Sequence, residues 1–265
     1  MERLPFVCPI CRGSLERDGG SARCARQHVF DVARQGYLNL LRRKPDTLYE
    51  DKSLFLARRA VYEAGFFAPL AEAIAGRLSG AVVLDAGCGE GSLLAYLCAG
   101  AKRVGIGLDI AKEAVKMAAG SYKRFHWCVG DLCDIPLADG SVDSVVNVLT
   151  PANYGEFSRV LAKGGVLLKI VPNAEHLAEI RCLAGKSPYA HSLAETLRAF
   201  ERQFTLAEQK AIRYKVACDE ALSAAVYAMT PLTAHELRPK ARAGEITVDL
   251  TLLVGRMEAV RKWIY

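Results

Sequence analysis

Asp85-Ala86-Gly87-Cys88-Gly89-Glu90-Gly91-Ser92 is the stretch that decides the fold of this chain. It follows the apolar run Ala81-Val82-Val83-Leu84 and precedes Ser92–Cys98, whose spacing predicts a helix. A buried strand that ends in closely spaced glycines and opens a helix is a ligand-binding turn, because glycine lets the backbone turn tightly and approach a ligand closely. Outward from it, strands and helices alternate. Arg103–Leu108 reads as a second strand ending at Asp109, 111–119 as a helix, and Phe125–Val129 as a third strand ending in Gly130-Asp131. Val142–Val148 is a fourth strand, 153–162 a helix, and Gly164-Gly165 turns into the strand Val166–Val171. Each strand is continuously apolar, as expected for a parallel sheet covered on both faces. The expected fold is therefore α/β and doubly wound.

Further out the pattern is less regular. Helices are expected near 174–184, 193–203 and 219–228, with strands across Thr205–Val216 and Ile246–Val254. Whether these closing strands pair antiparallel is left open by periodicity. Residues 54–77 have helical spacing broken at Gly65 and Pro69, and 42–52 reads as a charged, proline-containing linker or loop.

With 51% hydrophobic and 24% charged residues, the 265-residue chain can bury a core, which excludes disorder for most of it. No apolar run approaches the ~18 residues of a membrane span, and the N-terminus lacks a signal-peptide core, so no membrane partner and a cytoplasmic location are expected. The net charge of +6 is uneven: residues 1–60 hold 12 Lys and Arg against 7 Asp and Glu, a net +5. A basic head on a near-neutral body suits a polyanion such as nucleic acid, and an ordinary solvated face is the alternative.

The same head carries Cys8-Pro-Ile-Cys11, then Cys24 and His28, a Cys3His set with the spacing of a tetrahedral zinc site. So short a segment cannot build its own apolar core, and four protein ligands would leave no position for water, so a structural zinc is expected. Cys88, Cys98, Cys128, Cys133, Cys182 and Cys218 lie in apolar stretches and are expected to be small core residues.

The glycine loop itself separates cofactor classes. Its spacing is G-x-G-x-G, Asp85 precedes the first glycine, and Asp109 and Asp131 close the next two strands. Acids at successive strand ends repel a pyrophosphate but suit a cationic, ribose-bearing ligand, and S-adenosylmethionine has that chemistry. Capping or turn acids are the alternative for all three. Residues 81–171 resemble the Rossmann-like class I methyltransferases, and the helix-to-strand turn across 156–165 resembles an architectural feature of theirs.

With the zinc set, His28-Val29-Phe30-Asp31, Gly36-Tyr37-Leu38-Asn39-Leu40-Leu41, Ala57-Arg58-Arg59, Gly65-Phe66-Phe67-Ala68-Pro69-Leu70 and Met229-Thr230-Pro231, essentially the whole chain resembles the 23S rRNA (guanine-N1)-methyltransferases. The resemblance implies a small N-terminal zinc-binding, RNA-recognising domain over 1–37. It implies a methyltransferase domain over 38–265 with its core from about residue 78. The implied activity is S-adenosylmethionine-dependent methylation of N1 of a guanine in a 23S rRNA hairpin loop. Zinc would be held by Cys8, Cys11, Cys24 and His28, and the cofactor by Phe67, Asp85, Gly87, Gly89, Ser92, Asp109, Asp131 and His191. At Phe67 the family usually has Tyr, and His191 is an approximate counterpart of a family histidine. Asn147, Thr150 and Pro151, after the fourth strand, are expected near the methylated base, with a strand-end cap the alternative for Asn147. Tyr37, Phe66, Phe67 and Tyr154 are candidates for stacking on an unstacked base, or for the core. No residue stands out as a general base, and a homodimer is left open. Two other readings stay in view: a class I enzyme acting on a small molecule, its zinc module serving oligomerisation, and a non-catalytic RNA-binding protein that kept the fold. As separate modules, head and core predict that Cys11→Ser releases zinc yet leaves cofactor affinity nearly intact.

Overall fold

The computed structural model describes residues 2–43, 52–100, 102–187, 193–230, 233 and 242–257. The head is a four-stranded antiparallel sheet, β1 (Glu2–Val7), β2 (Ser14–Asp18), β3 (Ser21–Arg23) and β4 (Val29–Asp31), ordered as in the chain. Gly19, at φ 59, begins the two-residue turn between β2 and β3. These strands are too short for the sequence pattern to announce them.

The body is an eight-stranded sheet. Its strands are β5 (Leu38–Asn39), β6 (Val82–Ala86), β7 (Val104–Asp109), β8 (His126–Val129), β9 (Val142–Val148), β10 (Leu161–Pro172), β11 (Thr205–Ala217) and β12 (Glu245–Arg256). Their order is β11-β12-β10-β9-β6-β7-β8-β5. From β10 to β5 every pairing is parallel, whereas β12 runs antiparallel to both β10 and β11, which settles the closing strands. The helices are α1 (Lys52–Glu63), α2 (Ala68–Ala75), α3 (Ser92–Leu97), α4 (Lys112–Ser121), α5 (Tyr154–Val160), α6 (Ala178–Leu183), α7 (Leu193–Glu201) and α8 (Glu220–Met229). As expected, Gly65 (φ 74) separates α1 from α2, and Pro69 sits in the first turn of α2, where its missing N–H is not needed.

Successive strand residues face opposite sides of the sheet, and two cores result. Val83, Trp127, Val129, Val146 and Leu168 pack with α2, α3, α4 and α8. Leu84, Ala86, Ile106, Leu108, Cys128 and Val145 face the other way, and there Phe157, Phe200 and Phe204 meet the head's Phe6, Cys8, Leu15, Ala22 and Cys24. Ribbon and sheet thus share one apolar core. The ribbon is one of the layers covering the sheet, because a segment this small reaches full burial only against a neighbour.

Two of the expected core cysteines are also corrected. Cys133 and Cys182 are exposed: one sits in the turn that follows Asp131, the other on the outward side of α6. Tyr37 and Phe66 are buried, and Tyr154 packs its ring against Phe157, Phe200 and Phe204. His191, Pro231 and most of the linker expected at 42–52 lie outside the described residues. Among the described residues no helix is long and apolar enough to cross a membrane.

Candidate cofactor crevice and metal centre

Cys8, Cys11, Cys24 and His28 come together on two matching turns. Arg12 N–H donates to Cys8 O at 2.8 Å and Gln27 N–H donates to Cys24 O at 2.9 Å, and each turn holds a left-handed residue, Arg12 (φ 59) or Gln27 (φ 63). All four ligand atoms lie within 4.8 Å of one another. Cys8 Sγ and Cys24 Sγ are each 3.4 Å from His28 Nδ1, and Cys11 Sγ is 3.6 Å from Cys24 Sγ. A tetrahedron with Zn–S of about 2.3 Å and Zn–N of about 2.0–2.1 Å has edges of roughly 3.5–3.8 Å. The set therefore fits zinc in size and in donor chemistry, and four protein ligands make it a closed, structural site.

The crevice lies where the strand order reverses, at the carboxyl ends of β6 and β9. Asp85, the penultimate residue of β6, is 1% exposed, and its Oδ2 finds no hydrogen-bond partner among the described residues. Burial, reinforced by the charges of Asp109 and Glu90, pushes its carboxyl up to about 8. An orphaned, desolvated carboxylate is the partner a buried ammonium group requires.

Asp109 ends β7. Its Oδ2 accepts from Gly89 N at 2.8 Å and its Oδ1 from Ala111 N at 2.9 Å. Burial raises this carboxyl too, opposed by those backbone donors and by the Arg58 guanidinium. Asp131, beyond β8, shapes its own turn, its Oδ1 accepting from Cys133 N at 2.8 Å.

Gly87 (φ 89), Gly89 (φ 53) and Gly91 (φ 89) carry the chain from β6 into α3 in left-handed steps. A Cβ on Gly87 would stand 2.5 Å from Thr150 Cγ2, so only glycine lets the loop after β9 close on the loop after β6. Ser92 Oγ donates to Glu90 Oε2 at 3.0 Å and lies 3.1 Å from the Tyr122 hydroxyl. Phe67 is buried edge-on to Phe66 at 4.9 Å and tilted on Tyr62 at 5.3 Å.

Helix α1 adds residues to which the sequence pattern assigned no role. Arg59 Nε donates to the buried Glu90 at 2.8 Å, and Arg58 Nε donates to Met229 O at 3.2 Å, tying α1 to the end of α8. Arg58 Nη1 lies 3.9 Å from where a Cβ on Gly89 would stand. Two adjacent arginines at the centre of an otherwise amphipathic helix are the signal that could have found them.

Near the end of β9, Asn147 is fully buried. Its Nδ2 donates to Ala86 O at 2.8 Å and to Pro151 O at 3.3 Å, and its Oδ1 accepts from Lys169 Nζ at 2.6 Å. Leu149 (φ 52) is left-handed and exposed, and Thr150 lies against Gly87. Asn147 thus joins the two crevice loops with both ends of its amide.

Two family models match the chain: "RlmA, N-terminal", a zinc ribbon, at residues 6–43, and "Methyltransferase domain" at residues 83–165. The 23S rRNA (guanine(748)-N(1))-methyltransferase of Streptomyces fradiae is 36% identical over 242 residues, covering 86% of this chain and 85% of its own. YxjB of Bacillus subtilis (strain 168), which bears a 23S rRNA (guanine-N(1)-)-methyltransferase name provisionally, is 35% identical over 272 residues, covering 94% and 96%. The fold is shared with a chain in the complex between the Haloferax volcanii Trm112 methyltransferase activator and a methyltransferase. The TM-score there is 0.53 at 22% identity, covering 80% of this chain and 99% of that one. With identity of this extent along nearly its whole length, the chain belongs to the 23S rRNA (guanine-N1)-methyltransferase family.

Proposed function

We propose that this protein methylates N1 of a guanine in a hairpin loop of 23S rRNA with S-adenosylmethionine as donor. The observation that carries the reading is the union, on one shared core, of a closed Cys3His cluster with an acid-lined crevice ending in an orphaned carboxylate. S-adenosylmethionine supplies a methyl group made electrophilic by its sulfonium.

In this reading the residues divide as follows. Asp85 accepts from the amino group of the cofactor, Asp109 from its ribose hydroxyls, and Asp131 lies toward the base. Gly87 and Gly89 admit the backbone close to it, Phe67 packs beside it, and Ser92 holds Glu90 in place at the start of α3. The target guanine, out of its stack, lies against the loop of Asn147, Thr150 and Pro151. Transfer would join the methyl carbon to N1 as its bond to sulfur breaks, with the N1 proton passing to solvent. Alignment of donor and acceptor by two loops locked to each other supplies much of the rate. Residues 1–37 engage the RNA and 38–265 carry out transfer, in the cytoplasm where ribosomal RNA is found.

Incubation of the zinc-loaded protein with methyl-labelled cofactor and deproteinised 23S rRNA tests the reading. Label in RNA, with a reverse-transcription stop at one guanine, is the expected result. Label reaching metabolites and never RNA would replace it with the small-molecule reading, and absence of cofactor binding with the non-catalytic one.

A further inference from the structure

Ribbon and crevice meet at a single turn. Arg12 follows the ligand Cys11, and its left-handed backbone closes the turn onto Cys8. Its guanidinium extends to the loop after β8, where Nη1 donates to Ile135 O at 3.0 Å and Nη2 pairs with the Asp134 carboxylate. That loop begins at Asp131: Asp134 N–H donates to Asp131 O at 3.1 Å, and Cys133 N–H to Asp131 Oδ1 at 2.8 Å.

Residues 131–137 form no helix or extended strand, so contacts from outside set their course. The ribbon supplies a second such contact, Val7 N–H to Pro136 O at 2.9 Å, and Phe6 bridges to Leu137. On the far side, Glu156 Oε2 accepts from Ile135 N at 2.7 Å and Arg159 Nη2 donates to Ile135 O at 2.8 Å. These partners on the body are independent of the metal. Arg12 is the side-chain link that starts within a ligand turn, which carries two of the four ligands; Val7, next to Cys8, adds a backbone link, and Arg42 also faces Asp134 at 3.9 Å.

We propose that Arg12 is a positioning residue through which metal loading of the Cys8/Cys11/Cys24/His28 cluster sets the course of the Asp131 loop, and with it the affinity of the crevice for S-adenosylmethionine. The inference rests on the reading of Asp131 as a cofactor contact. With the ligands held at a common centre, the turn Cys8–Gly13 keeps one shape and Arg12 one reach. Released from it, two left-handed non-glycine residues relax and the guanidinium leaves Ile135 and Asp134. The coupling is reciprocal, so cofactor binding tightens metal binding by the same factor.

The test is calorimetric titration of the full chain with S-adenosylhomocysteine, zinc-loaded and after chelation, for the wild type, Arg12→Met and Arg23→Met. A metallochromic indicator reports zinc content in each. Arg23 serves as the control because its partner, Asp18, lies within the ribbon. Arg12→Met is expected to retain one zinc yet bind about fivefold or more weakly, within the usual range of allosteric coupling. Chelation is expected to weaken the wild type by a similar factor and to add little in Arg12→Met, while Arg23→Met matches the wild type. Zinc-loaded Arg12→Met binding as tightly as the wild type would overturn the proposal. So would an equal effect of chelation on both, which would route the coupling through the shared core. If the zinc-loaded wild type fails to bind at all, the cofactor reading itself falls, a result distinct from either.

Discussion

Lys169 Nζ lies 2.6 Å from Asn147 Oδ1 and 2.6 Å from Thr150 O; the residue lies in the interior strand β10 and is only 5% exposed. Both partners are neutral oxygens, and burial pulls this ammonium down to about 8. Through Asn147 the same unit reaches Ala86 O, immediately before the glycine loop. The loops after β6 and β9 are therefore held by one hydrogen-bonded pair of side chains.

Lys169→Met keeps much of the stem while leaving Asn147 Oδ1 and Thr150 O without their donor, at a cost of about 1–3 kcal/mol in stability. Misplacement of a reacting group by about 1 Å lowers a rate roughly 100-fold. Single-turnover methylation is expected to slow by about 10- to 100-fold, while S-adenosylhomocysteine affinity changes less than about threefold. A parallel loss of both would show that the pair merely supports the fold.

Asp85 predicts a pH dependence. Its carboxyl stands near 8 in the free protein, against ~3.9 for an exposed aspartate. The folded state thus binds more protons than the unfolded one between those values, and the contribution of this group to stability falls as pH rises through that window. Asp85→Asn should raise the Tm of the free protein at pH 8 by about 2–4 °C, as ~1 kcal/mol does in a chain of this size. It should also abolish tight cofactor binding. In the wild type, pairing with an ammonium group ionises the carboxyl, so binding at pH 7 should release close to one proton from Asp85. Calorimetry in buffers of different ionisation enthalpy measures that release.

Asp109 holds Gly89 N and Ala111 N, and the proposed function makes it the partner of the ribose hydroxyls. Asp109→Ala should weaken cofactor affinity by about 1–3 kcal/mol, the range for a lost charge-assisted hydrogen bond. Zinc content, read on the same sample, should remain at one per chain, because Asp109 bonds to Gly89 N and Ala111 N and is not one of the four ligands.

Gly87→Ala places a methyl group 2.5 Å from Thr150 Cγ2 at a backbone angle that favours glycine. A loss of about 1–3 kcal/mol is expected from strain alone. Combining it with Thr150→Ser removes the shortest contact but not the strain or the 3.0 Å approach to Oγ1, so thermal denaturation should show recovery of part of the loss. Full additivity of the two changes would argue against the contact.

The strand-helix alternation and the acids of the crevice were visible because they are local. An apolar run, a glycine that must turn left-handed and an acid at a strand end are each defined by a few consecutive residues. The Cys3His set was visible for the same reason, since its spacing alone positions the ligands on two turns. The ribbon strands were missed because three to six residues carry no measurable period. Cys133 was misjudged because an apolar neighbourhood in sequence does not say which way a turn faces.

What could be read from residue type at short range was the strand–helix alternation of the body, the Cys3His set and the class of cofactor. Tertiary structure alone decided that ribbon and sheet share one core, that Lys169 and Asn147 tie the two crevice loops together, and that Arg12 reaches from a ligand turn to Asp134, 122 residues away. Such pairings arise only when the chain closes on itself, and hydrogen bonds and apolar burial act between whatever surfaces that closure brings into contact.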